Sequence, residues 1–144
     1  MVTIRFGVPV HGWLPVEIDF GDFTLQLDAS DVPVNPLDEL CSALILVLQG
    51  ASTEVGWHLE PAWCFLRFET TNNSVTLVVF ESAAFKGKAD EKLRVTSSVE
   101  ELVLPWYRAL KSFCTADYGA DWPATDVSGI EKLTQLVKAR KKRL

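Results

Sequence analysis

The sequence has no hydrophobic run long enough to cross a bilayer as a helix. About 20 apolar residues are needed for that; the longest stretch here, residues 40–48, falls short and is interrupted by Ser42. Histidine is scarce, at two residues, and the three cysteines are unevenly spaced with no Cys-x-x-Cys. That combination excludes a disulfide framework and gives no zinc-ligand spacing. There is no Gly-x-Gly-x-x-Gly and no phosphate loop, so nucleotide binding has no local signature. No cofactor and no metal are expected. The N-terminus lacks a basic region followed by an apolar stretch, so no signal peptide is expected and the cytoplasm is the expected compartment.

The composition is that of a folded chain. Its 144 residues suit a single domain spanning 1–144, and a 48% hydrophobic content with five tryptophans supplies a sizeable core. The net charge of −5 conceals an asymmetry. Lys138, Arg140, Lys141, Lys142 and Arg143 form a basic tail over residues 138–144. Without those five of the 14 basic residues, nine face 19 acidic ones, leaving a body of net charge −10. Such a body repels nucleic acid and attracts basic proteins. The tail itself reads as cations closing a helix C-terminus.

Two alternating segments joined by Gly21 and Asp22 give the clearest structural signal. A two-residue loop sets Phe20 opposite Phe23, Ile18 opposite Leu25 and Val16 opposite Leu27, with Glu17, Asp19, Thr24 and Gln26 on the other face. A one-residue slip would expose the whole apolar set. Residues 2–8 alternate as a strand before this hairpin. Asn35 as N-cap, Pro36 at the first position and Asp38 and Glu39 in the first turn open a helix, which Gly50 stops. It is expected to lie across the sheet, packing Leu40, Cys41, Leu44, Ile45 and Leu48 on Ile18, Phe20, Leu25, Leu66 and Phe68.

Residues 54–60, 62–70 and 74–82 read as three more strands. A type I′ turn at Asn72 and Asn73 would pair Phe68 with Leu77 and Phe65 with Phe80. Residues 83–91 read as a charged loop, and Leu93 and Val95 as a short further strand. Ser98 and Glu101 form a capping box for a helix that Pro105 should kink or split. A last helix covers about residues 128–143. The expected fold is therefore α+β: an antiparallel sheet of about six strands, one helix on one face, and two C-terminal helices.

The hairpin register gathers His11, Trp13, Asp28, Ser30 and Asp31 at one sheet edge. A histidine, a hydroxyl and carboxylates together could perform acid–base or nucleophilic work. The plainer reading is a turn, since serine and aspartate commonly bond their own backbone there. The carboxylates of Glu17 and Asp19 share one exposed face and suit a basic partner. Trp57, Trp63, Phe65 and Phe80 are too many large rings for one bare sheet face. Either the C-terminal helices cover them or they mark an interface with a partner or a second copy of this chain. The cysteines read as core.

The run His11-Gly12-Trp13, with Ala29-Ser30-Asp31, Pro36-Leu37 and Glu60-Pro61, resembles a group of small bacterial proteins of unknown function. Some of these are similar in style to immunity proteins of bacterial toxin systems. The resemblance covers about the first eighty residues and brings no catalytic residue with it. It implies a cytoplasmic binding protein rather than an enzyme; with the acidic body and the lack of a convergent catalytic set, the expected function is that of a non-catalytic, immunity-like inhibitor of a basic protein partner. The alternative is a small enzyme or ligand-binding protein using the His11, Asp28, Ser30 and Asp31 edge. Neither a membrane nor a nucleic acid is an expected partner.

Overall fold

In the computed structural model, residues 2–84 and 88–141 are described, the last of them by its backbone alone. The fold is α+β. Its strands fall into two antiparallel sheets rather than the one expected. The first contains β1 (Val2–Phe6), β2 (Trp13–Phe20) and β3 (Phe23–Ser30), in that order. Helix α1 (Pro36–Leu48) leads into the second, made of β4 (Thr53–His58), β5 (Trp63–Thr70), β6 (Ser74–Ser82) and β7 (Ala89–Ser98). Helices α2 (Val99–Phe113) and α3 (Val127–Lys141) follow, with a 3-10 turn at Gly119–Asp121 between them. Strands β3 and β4 approach each other without forming a ladder. Between them the chain turns away through Pro33 and Pro36, which have no N–H to donate to a ladder.

The first hairpin keeps its expected register, from Trp13 opposite Ser30 to Phe20 opposite Phe23. Its burial is uneven. Leu14, Val16 and Ile18 on central β2 are buried, whereas Leu25 and Leu27 on edge strand β3 are half-buried and Phe23 is exposed. The second hairpin also pairs as expected, Phe68 with Leu77 and Phe65 with Phe80. Its turn is not type I′. Among the described residues only His11 and Glu60 are non-glycine residues with positive φ, so Asn72 and Asn73 lack the required conformation.

Strand β7 is longer than expected and takes in Ala89, Asp90 and Glu91, part of the expected loop; residues 85–87 of that loop lie outside the described residues. Lys92 bonds Asp90 at 2.8 Å and Arg94 bonds Glu91 at 2.9 Å. Charges of this kind are a common safeguard on a free sheet edge. At the other end of the fold, Val8 lies outside β1 and is exposed.

Helix α1 begins as the sequence indicates, with Asn35 Oδ1 accepting from Leu37 N at 3.0 Å. Asn35→Ala is expected to lower stability by about 0.5–2 kcal/mol, measured by urea denaturation, because it strips that acceptor from the helix N-terminus. The packing of α1 differs from expectation. It lies beside β4, α2 and α3, while α2 runs alongside β1. Ser98 caps α2 by accepting from Glu101 N, and the helix passes through Pro105 without splitting. Its buried stripe of Leu102, Trp106, Leu110 and Phe113 holds it together across the missing backbone bond. One hydrophobic cluster includes residues from both sheets and all three helices. Of the tail, Arg140 bonds Glu100 of α2, and Lys142 and Arg143 lie outside the described residues.

Candidate functional site

The His11 edge assembles only in part. His11, Trp13 and Asp28 line a shallow hollow of about 730 Å³ with Val8, Val10, Leu27, Leu59 and Glu81. Ser30 stands opposite Trp13 but does not line the hollow: it is buried, and its Oγ accepts from Val32 N at 3.2 Å. Asp31 packs against Gly12, where a Cβ would come within 2.7 Å of its carboxylate. The partner of His11 is a residue the sequence did not single out. Asp121 Oδ1 accepts from His11 N at 2.9 Å and lies 3.6 Å from Nδ1. The 3-10 turn delivers Asp121 from 110 residues away, so no local spacing could announce it.

The two strand carboxylates are already engaged. Glu17 pairs with Arg5 at 2.9 Å, and Asp19 accepts from the Thr24 hydroxyl. Both are partly spent on holding the sheet together.

The outward face of the four-stranded sheet is more distinctive. Residues of one parity, Glu54, Gly56 and His58 on β4 and Trp63, Phe65 and Arg67 on β5, stand side by side there, with Val78 and Phe80 on β6. Their rings stack in sequence. His58 lies 4.6 Å from Trp63, Trp63 lies 6.1 Å from Phe65, and Phe65 lies 5.1 Å from Phe80, with interplanar angles of 22°, 16° and 20°. The Arg67 guanidinium sits 4.8 Å over the Phe80 ring and donates through Nε to Glu54 at 3.0 Å. His58 was missed in the sequence, although a Glu60-Pro61 loop would have set it opposite Trp63.

Two expectations about the tryptophans are overturned. Trp57 does not belong to this surface. It has the opposite parity, pairs with Cys64 and is fully buried. Its indole N–H donates to Pro36 O at 3.1 Å and its ring meets Trp106 edge-on. The helices do not cover the aromatic face either, since α2 lies on the inner side of the sheet, where Trp106 also meets Phe68. Trp122 is buried against Phe113. Trp63 and Phe80 remain half-buried on the outer face, and Phe65 is buried.

A groove of about 370 Å³ opens at the β4 end of this face. Gly56, His58, Trp63 and Phe65 line one side, and residues of the β3–α1 connection with Glu39 of α1 line the other. A Cβ at position 56 would come within 3.0 Å of the Phe65 ring, so the glycine is what allows that ring to lean across β4. A larger cleft of about 950 Å³ lies between β1 and the Glu101, Pro105, Arg108 and Ser112 side of α2.

No protein-family model, curated protein or solved structure matches this chain.

The thiols are chemically quiet. Burial pushes Cys41 up to about 11 and Cys64 up to about 12. Among the described residues, no group of three histidine, cysteine or acidic side chains could hold a metal ion. A polar contact joins α1 to the start of α3. Asp126 N donates to Asp38 Oδ1 at 3.2 Å, and Asp126 in turn accepts from Ser128 and Gly129. Burial raises the Asp38 pKa and the nearby Asp126 charge adds to the rise, while the Ser128 hydroxyl and the Gly129 N–H lower that of Asp126.

The two shifts act oppositely on stability. Ionising Asp38 costs stability as pH rises from about 4 through its raised value. Asp126 stabilises above about 4 and loses that contribution as pH falls through its lowered value. Asp38→Asn keeps an acceptor for Asp126 N and removes the charge. Its melting temperature is expected to equal or exceed that of the parent at pH 7, with the gain disappearing as pH falls through the raised Asp38 value towards about 4. A lower melting temperature at pH 7 would show that the carboxylate charge is needed.

Proposed function

We propose that this chain is a non-catalytic cytoplasmic binding protein, an immunity-like inhibitor that engages a basic protein partner through the outward face of its four-stranded sheet. The observation that carries this reading is the ring stack from His58 to Phe80, standing between carboxylates on a body of net charge −10. Aromatic side chains supply contact area at little entropic cost, and the acidic surroundings steer a basic protein towards them. The resemblance of residues 11–13, 29–31, 36–37 and 60–61 to small bacterial proteins, some of them similar in style to immunity proteins, points the same way.

The test is co-expression with the product of the adjacent reading frame. The expected result is relief of that product's toxicity and a one-to-one complex whose association slows as salt is raised. A non-toxic neighbour that forms no complex at micromolar concentration would overturn the reading. Sedimentation of the chain alone separates a second copy on this face from a foreign partner.

A second reading, a small enzyme or ligand-binding protein, draws on the approach of Asp121 to His11 beside the Trp13 hollow. It predicts saturable binding of a small molecule that His11→Ala abolishes.

A further inference from the structure

We propose that the groove over Gly56 is a receptor for an arginine side chain of the partner, and this rests on the basic-partner reading above. The ring stack shows how the chain holds a guanidinium. At one end Arg67 lies over Phe80 at 4.8 Å, with its Nε–H on Glu54 and Nη1 4.0 Å from Glu69. An arginine on a ring between carboxylates is thus part of this surface already.

The other end of the stack repeats the ingredients. The His58 and Trp63 rings, stacked at 4.6 Å, border the groove together with Phe65. Glu54 and Glu39 line the same groove from the sheet and from α1. Along β4 the outward row reads Glu54, Gly56, His58, and the Phe65 and Trp63 rings lean over the glycine, so the groove has an aromatic floor between a carboxylate and the His58 ring. A space of about 370 Å³ admits one long side chain and not a folded segment.

Arginine fits this setting better than lysine. Its guanidinium is planar, weakly hydrated and always charged, so it can lie against the rings while its forked N–H groups reach a carboxylate. Lysine brings a compact, strongly hydrated charge that must be stripped of water to enter. Glu54 already accepts from Arg67. Glu39 is therefore the main acceptor for the incoming guanidinium, with Glu54 bridging the old and new arginines.

A hexa-arginine peptide titrated into the full chain at low ionic strength tests this, followed by two-dimensional amide NMR. The expected result is saturable shifts of the Trp63 indole N–H and the Gly56 amide, with hexa-lysine binding there roughly five-fold or more weakly. Glu39→Gln should weaken the arginine response by about ten-fold and lower the melting temperature only slightly, through the lost first-turn charge of α1. Trp63→Leu should abolish the response; Glu17→Gln, on the other sheet, should not alter it.

Equal binding of the two peptides at the groove, or an unchanged response in Glu39→Gln, would overturn the proposal. Saturable binding confined to other acidic surfaces would overturn the groove and leave the basic-partner reading standing. No binding of either peptide would overturn both.

Discussion

Trp57→Ala is expected to remove about 3–5 kcal/mol of folding stability, measured by urea denaturation, the largest loss for any single side chain considered in this chain. Trp57 is fully buried and joins the sheet to two helices at once. Its ring meets Trp106 of α2 at 6.2 Å, and its indole N–H satisfies Pro36 O at the first turn of α1. Alanine would leave a ring-sized void and remove the indole donor from the Pro36 carbonyl together. Trp57→Phe separates the two contributions. It refills most of the space and loses only the hydrogen bond, so it should cost about 1–3 kcal/mol. A Trp57→Ala chain as stable as the parent would show that the tryptophan does not tie α1 to the second sheet.

The second large effect is expected at Leu44, where alanine should cost about 2–5 kcal/mol. Leu44 is fully buried on a helix enclosed by β4, α2 and α3. These neighbours belong to separate elements, and the site cannot collapse without moving one of them. Leu46, two residues on, is 42% exposed and provides the internal comparison. Leu46→Ala should change stability by no more than about 0.5 kcal/mol. The same denaturation curves check both, and similar midpoints for the two variants would contradict this placement of α1.

What was legible in the sequence was local. The pairing of both hairpins followed from loop length and alternation, down to Phe20 with Phe23 and Phe65 with Phe80. The start of α1 followed from Asn35 and Pro36. Alternation identifies the buried side of each strand pair, yet it carries no information on whether separate pairs share a ladder. Two sheets were therefore read as one. The same limit placed α1 on Ile18 and Leu25, when its neighbours are β4, α2 and α3.

Trp57 was misplaced for a different reason. Size and aromaticity were weighed above parity, although Val55 two residues earlier already marks the inner face. In the candidate site, Trp63, Phe65 and Phe80 were found on the outer side because their register was set by a short loop. Glu39 and Asp121 arrive from a helix and a 3-10 turn that only the assembled fold brings near.

The buried sulfurs have a practical corollary. A thiol attacks an alkylating or disulfide reagent as its thiolate, and Cys64 in the sheet interior is both fully enclosed and strongly biased towards the neutral form. Cys41 on α1 is nearly as well protected, whereas Cys114 at the end of α2 is partly open to solvent. The three therefore serve as clocks of different speed. Modification at Cys114 records access to the surface, at Cys41 the lifting of α1, and at Cys64 the opening of the second sheet itself. Unlabelled, the native chain already carries reporters of its own unfolding rate, one for each layer of the fold.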